Sequence, residues 1–317
     1  MASSPLNSLQ MRIAGGLEGL LVGDALGVPY EFSPAAEIPP PLQIEMNPPA
    51  DFDRAHRQVP PGTWSDDGAH ALCLLASLLE RDRLDLNDFS LRLLSWYKSG
   101  YMAVDAVVFD VGVQTAAALR ALDAGTSPRE AGPREERHNG NGSLMRVLPL
   151  ALWHRGSNEE LVRDAYEQSL VTHGHARSRV CCALYCLWAR ILLLSDVEDA
   201  WALAVSQLRA MIRQGSDEDE ALEFHIRPDD PPSGGGSGYV VDTLRSARLA
   251  LGESTYEACV KKAIALGNDT DTTACVAGGL AGIRAGKAGI PERWREALRG
   301  GELWTPMLQP LLARHER

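Results

Sequence analysis

Asp269, Thr270, Asp271 and Thr272 stand between Gly267-Asn268 and a run dominated by small and apolar residues, Ala274 to Gly286. The run predicts a buried helix, so the carboxylates at its mouth are carried toward the interior. A buried carboxylate is costly without a compensating charge. Two side by side repel, and their pKa values move apart unless a cation neutralises both. The plainer alternative is a helix N-cap with a solvated turn, where Asp and Thr are favoured. A second stretch has the same grammar. Gly62-Thr63-Trp64-Ser65-Asp66-Asp67-Gly68 precedes Ala69 to Glu80, in which Leu72, Leu75, Ala76 and Leu79 fall at helical spacing. If the two helix starts meet, four carboxylates and the hydroxyls of Ser65 and Thr272 converge. Such hard oxygen donors suit magnesium or manganese rather than zinc. Two ions about 3.5–4 Å apart match this many bridging carboxylates.

The rest of the chain is helical in pattern. Helices are predicted near residues 8–23, 66–81, 87–99, 104–123, 143–154, 158–171, 176–195, 197–214, 239–251, 254–266, 271–286 and 291–298, with almost no strand signal. The expectation is an all-α fold, a compact single-domain orthogonal helical bundle spanning 1–317. The two acidic stretches lie far apart in sequence, so both ends of the chain should share that domain. Two segments interrupt the pattern. Residues 33–61 hold eight prolines and cannot be helical throughout. Residues 214–238 pass from acidic residues to Pro231-Pro232-Ser233-Gly234-Gly235-Gly236 and end against Tyr239. Loops this long are usually functional or disordered; a lid, a nucleotide-facing loop and a flexible surface loop all remain open for the second.

Composition excludes several roles. A net charge of −11 without a Lys/Arg cluster argues against nucleic acid as the main partner. The longest apolar run, Val180 to Leu194, carries Arg190 and is too short to span a bilayer, so no membrane partner is expected. Met1 to Leu6 lacks a basic segment followed by an apolar core, so no signal peptide is expected. The six cysteines, at 73, 181, 182, 186, 259 and 275, fall in apolar helical segments with neither zinc nor disulfide spacing. Buried free thiols and a reducing, cytoplasmic compartment are expected, with a monomeric chain.

Other stretches carry chemistry. Gly15, Gly19, Gly23 and Gly27 recur every four residues, on one helix face that permits close helix contact. Asp24 on that helix reads best as a structural hydrogen-bond acceptor. Glu31 follows Pro29-Tyr30 as the chain enters the proline-rich segment, and suits a general base or metal ligand facing a cleft. His138-Asn139-Gly140-Asn141-Gly142-Ser143 reads as a glycine-rich turn running into a helix, whose free N–H groups suit phosphate. In Thr172-His173-Gly174-His175 the two histidines do not share a helix face, which favours hydrogen bonding over metal ligation. Asp110, in Phe109-Asp110-Val111-Gly112, is expected inside an otherwise apolar helix, where it needs a partner or a task.

In order along the chain, GLEGLLVGDALGVPYEF, GTWSDDGAHALCLLASLL, FDVGVQTAAAL, GNGSLMRVLPLAL, THGHARS, GYVVDTLRSARLAL and LGNDTDTTACVAGGLAGIRAG followed by IPERW resemble the ADP-ribosylglycohydrolase family, from about residue 11 to residue 294. The resemblance implies a compact all-α hydrolase with a binuclear magnesium centre, acting on an N- or O-glycosidic bond at the distal ribose of ADP-ribose. It implies Ser65, Asp66, Asp67, Asp269, Asp271 and Thr272 as metal ligands. Asn139, Gly140, Asn141, Gly142 and His173 match positions that hold phosphates and ribose, with Ser143 closing the same turn. Tyr239 matches an aromatic near the adenosine. Glu31 matches an acid that reaches the metal or the catalytic water, and Asp110 one assigned to acid–base work in the bacterial branch. Glu31, Asp66 and Asp110 are the catalytic candidates, with the choice of base open. Gly68 departs from the family's usual threonine. The implied substrate is an ADP-ribosylated protein or ADP-ribose derivative, arginine-linked first. Serine or another O-linked substrate and a catalytically inactive ADP-ribose binder are the alternatives.

Overall fold

Two helices from opposite ends of the chain lie against each other at the centre of the protein. The computed structural model describes residues 8–316; Met1 to Leu6, where no signal peptide is expected, lie outside them. The helices are α1 (Ser8–Gly27), α2 (Asp66–Arg81), α3 (Leu86–Ser99), α4 (Val113–Asp123), α5 (Leu148–Trp153), α6 (Asn158–Leu170), α7 (Ala176–Leu194), α8 (Ala200–Met211), α9 (Asp217–Glu220), α10 (Val240–Ala250), α11 (Tyr256–Ile264), α12 (Thr270–Ala285), α13 (Glu292–Ala297) and α14 (Gly301–Ala313). Among the described residues there is no sheet, only the isolated bridges Pro34–Gly267 and Gly140–Tyr239. The fold is all-α, as expected.

α1 and α12 are buried nearly all round, the mark of core helices rather than amphipathic surface ones. They run antiparallel at backbone contact. A Cβ placed on Gly15, Gly19 or Gly23 would lie 2.2, 2.6 or 2.2 Å from the carbonyl oxygens of Gly282, Gly278 and Ala274; one on Gly27 would lie 2.4 Å from Asp271 Cα. The four-residue glycine spacing therefore brings the end of α1, with Asp24 and Glu31, beside the start of α12, with Asp269 and Asp271. α2, α5, α7, α10 and α11 pack around this pair. One large apolar core runs through all of them, and a small satellite of Val28, Val59 and Phe109 sits apart from it. All six cysteines are buried and free. No helix among the described residues is long and apolar enough to cross a membrane.

Several expected elements are corrected. The helix expected over 104–123 begins only at Val113. Asp105, Ala106 and Asp110 have left-handed φ of 54°, 57° and 54°, which breaks helical continuation and frees the Phe109-Asp110-Val111-Gly112 stretch. The helix expected over 143–154 begins at Leu148, where Pro149 suits a first turn. The 214–238 segment contains α9 and a π-helical turn, Ala221–Ile226. α14 falls outside every expected helix, and it carries Pro306 and Pro310 in its interior. It forms nonetheless, burying Trp304, Leu311 and Leu312.

Candidate active site

The start of α2 is built against the end of α1. Ser65 caps α2, its side chain accepting from the Asp67 N–H at 3.3 Å. Asp24, fully buried, accepts from the Ser65 N–H at 2.9 Å and the Gly68 N–H at 2.7 Å. Asp24 is thus the structural acceptor expected of it, and it fixes the first turn of α2 to α1. Gly68 is explained by its neighbour: a Cβ there would lie 2.7 Å from Cγ of the buried Trp64. The starts of α2 and α12 meet, with Thr272 Oγ1 donating to Asp67 Oδ1 at 3.4 Å. Both helices direct their positive N-terminal ends at the carboxylates.

These groups floor a cleft of about 400 Å³. Glu31, Asp66, Asp67, Asp110, Asp269 and Thr272 line it together with the start of α4, Gly140-Asn141-Gly142, His173 and Gly238. Glu31 belongs to two compact groups, one with Asp269 and Asp271 and one with His56 and Asp110, in each of which the donor atoms lie within 4.8 Å of one another. Burial, followed by neighbouring carboxylates, holds Asp66, Asp67, Asp271 and Glu31 far above the usual carboxylate range. Burial raises Asp24 to about 7, opposed by the Ser65 and Gly68 N–H bonds. Burial and then Asp269 raise Asp110 to about 6. Asp67 Oδ2 and Asp271 Oδ2 are buried without a hydrogen-bond partner. Crowded carboxylates with orphaned oxygens fit a metal ion, and the group of Glu31, Asp269 and Asp271 offers oxygen donors alone.

Other expected site residues lie further out. Ser65 and Asp271 do not line the cleft, though Asp271 offers an oxygen within 4.8 Å of those of Glu31 and Asp269. Ser143 is fully buried, bonded to Ser169 Oγ at 2.9 Å and near Cys182 Sγ at 3.4 Å. Asn139 is held by the Glu136 carbonyl at 2.7 Å, and Tyr239 stands at the surface, 37% exposed. The glycine-rich turn does not open a helix, and two of its N–H groups are taken: Gly140 donates to Gln114 Oε1 at 3.3 Å and Asn141 to the Gly238 carbonyl at 3.2 Å. His173 faces the cleft, its Nδ1 2.7 Å from Thr172 Oγ1. A Cβ at Gly142 would meet its ring at 2.8 Å, so glycine there makes room for imidazole.

Two contributors, His56 and Arg146, escape the sequence patterns, and Asn141 makes a contact they did not indicate. Asn141 Nδ2 donates to Asp269 Oδ2 at 2.8 Å and to Thr243 Oγ1 at 2.9 Å, orienting a carboxylate. His56 Nε2 lies 2.5 Å from Glu31 Oε2. Arg146 is fully buried and hydrogen-bonded to Gln168; burial lowers its pKa to about 10, opposed by Cys182, Cys73 and Asp66. No motif marks His56, which sits in the proline-rich segment. A larger hollow of about 510 Å³, between α7, α8 and α10, shares no residue with the cleft. Its arginines are committed to carbonyls: Arg12 to Leu192 at 3.0 Å, Arg248 to Pro228 at 3.0 Å and Arg284 to Leu251 at 2.6 Å.

An all-α protein with an acidic cleft between helix starts has clear relatives. The sequence model of the ADP-ribosylglycohydrolase family matches residues 5–316. A solved structure titled ADP-ribosylglycohydrolase-related protein complex superposes with a TM-score of 0.78 at 31% identity, covering 98% of each chain. ADP-ribosylarginine hydrolase Tri1 of Pseudomonas putida (strain GB-1) is 31% identical, over 95% of this chain and 76% of the relative. ADP-ribosyl-(dinitrogen reductase) glycohydrolase of Rhodospirillum rubrum is 29% identical over 92% and 91%, and ADP-ribosylhydrolase ARH3 of Bos taurus 26% over 95% and 92%. The chain belongs to the ADP-ribosylglycohydrolase family. It is accordingly a hydrolase that removes ADP-ribose.

Proposed function

We propose that the cleft hydrolyses the N-glycosidic bond joining C1″ of the distal ribose of ADP-ribose to arginine side chains of a modified protein. The observation that carries this is the convergence of Glu31, Asp66, Asp67, Asp110 and Asp269 on one cleft, with the orphaned oxygens of Asp67 and Asp271 beside it. Ser65, Asp66, Asp67, Asp269, Asp271 and Thr272 would hold two magnesium ions, with manganese a possible substitute, supplying charge neutralisation and a Lewis-acidic seat for sugar hydroxyls. As the bond breaks, positive charge develops at C1″, and the cleft carboxylates stabilise it. Asp110 is less buried than Glu31 and Asp66, which leaves solvent beside it. We assign it the proton of the attacking water. The water oxygen bonds to C1″ while the C–N electron pair leaves with the guanidine nitrogen, which takes up a proton. His173 and the Gly140-Asn141-Gly142 turn would hold the rest of the ADP-ribose, and Tyr239 would border its adenosine.

Arginine linkage is supported by the names of the two relatives at 31% and 30% identity, both ADP-ribosylarginine hydrolases. Phe32 adds to it: an aromatic ring 68% exposed beside Glu31, suited to a planar cation. The test is incubation with arginine- and serine-ADP-ribosylated peptides, with magnesium, with manganese and with chelator, measuring free ADP-ribose. Release from the arginine peptide that stops in chelator is expected, as is its loss in Asp66→Ala and Asp269→Ala with the fold retained. Near-normal turnover in either variant would sink the metal assignment. Release from the serine peptide alone would overturn the linkage.

A further inference from the structure

The proline-rich segment is fastened rather than free. Tyr30 Oη donates to the Glu45 carbonyl at 2.8 Å and accepts from the Glu45 N–H at 2.9 Å. Its ring packs on Phe52, with centroids 5.1 Å apart. Ala55 N–H then donates to the Pro29 carbonyl at 2.9 Å, returning the chain to the end of α1. Val59 anchors the far side in the satellite cluster with Val28 and Phe109.

Between these anchors stands His56, with a left-handed φ of 46°. A non-glycine residue there carries a backbone cost, and such strain persists where the surroundings over-determine it. The turn places His56 Nε2 at 2.5 Å from Glu31 Oε2, with the His56 side chain 11% and that of Glu31 5% exposed. The imidazole is held between aromatic rings, 5.6 Å from Phe32 and 5.0 Å from Phe109. Glu31 has no other hydrogen-bond partner among the described residues. Without His56, its carboxylate could rotate within the space shared with Asp110, Asp269 and Asp271.

We propose that His56 is a positioning residue, set by the proline-rich segment on Glu31 Oε2 so that one orientation of the Glu31 carboxylate faces the reacting ribose. This rests on the cleft being the hydrolytic site. A misdirected carboxylate at a reaction centre lowers turnover while leaving the rest of substrate binding intact. His56→Ala should therefore lower kcat roughly 10- to 100-fold. KM and the thermal shift given by ADP-ribose should stay within about 2-fold, since the groups that would hold the nucleotide lie elsewhere. His56→Gln, whose amide reaches as far as Nε2, should recover most of kcat; His56→Asn, which is shorter, should not. Wild-type kcat in His56→Ala, or equal losses of kcat and melting temperature in all three variants, would overturn the proposal.

A second measurement needs no turnover. His56→Ala should lower the melting temperature of the wild-type chain, and less so in a Glu31→Ala background, where only its contacts with Phe32 and Phe109 are lost. Equal shifts in both backgrounds would overturn the pairing itself. If the unsubstituted protein releases no ADP-ribose, the hydrolytic reading fails, while this cycle still tests His56 on Glu31.

Discussion

Replacing Gly23 by alanine tests the contact on which the acidic cleft depends. The new Cβ would lie 2.2 Å from the Ala274 carbonyl oxygen and 2.8 Å from its carbon, whereas real Cβ atoms essentially never come within 3.0 Å of such neighbours. α1 and α12 must part by at least about 0.8 Å, the difference between 3.0 and 2.2 Å. The obstacle is backbone, which cannot swing away as a side chain does, so the overpacking cost falls near the upper end of the usual range, about 3 kcal/mol. Alanine's helix preference returns about 1 kcal/mol, leaving a net loss of about 2 kcal/mol. For a chain of 317 residues, unfolding entropy of about 2.1 cal/mol/K per residue converts this to a fall in melting temperature of about 3 °C. Gly301→Ala is the control. Nothing beyond its chain neighbours and its own helix backbone lies within 4 Å of its Cβ position, so a gain of roughly 0.5 kcal/mol is expected. Thermal unfolding is measured for both variants in chelator and again in magnesium, where Gly23→Ala should also show a smaller cation-induced rise, because its helix ends have moved. A Gly23→Ala melting temperature at or above wild type would refute the backbone-contact reasoning.

Two further expectations follow from the buried carboxylates. Asp24 and Asp110 hold their protons to about 7 and about 6 in the folded chain, against 3.8 ordinarily; the stability they contribute is therefore full below about pH 4, falls as pH rises from there, and is gone once pH has passed 6–7. In chelator the melting temperature should fall over that window, and saturating magnesium should flatten the fall and add about 2.7 kcal/mol at a hundred times its Kd; a pH profile unchanged by magnesium would contradict a cation among these groups. Asp24→Ala leaves the Ser65 and Gly68 N–H groups buried without an acceptor, so a loss of about 2 kcal/mol or more is expected in urea unfolding. A wild-type urea midpoint would show that Asp24 does not hold the start of α2.

Much of the candidate site was legible because its groups travel in short runs. Ser65-Asp66-Asp67 and Asp269-Thr270-Asp271-Thr272 each open a helix, and local grammar places them there. Asp110 is recognisable as an acid needing a task, but apolar periodicity suggests a helix around it, whereas left-handed residues at 105, 106 and 110 delay the helix to Val113. The glycine turn at 140–142 was legible as a site element for a different reason from the one the structure supplies. Its glycines clear space for the His173 ring, and a helix follows only at Leu148. His56 was not legible at all, since nothing in a proline-rich stretch says which residue returns to Glu31.

The sequence by itself determined the all-α class, the buried thiols, the two acidic helix starts and the glycine face of α1, because each is a matter of local spacing and residue type. Only the tertiary structure decided that the glycine face meets the backbone of α12, some 250 residues later. That contact carries Asp24 and Glu31 to Asp269 and Asp271, lets Asp24 hold the start of α2, and closes the cleft. Which carboxylates share a space, and which histidine orients one of them, depends on long-range packing that no local pattern encodes.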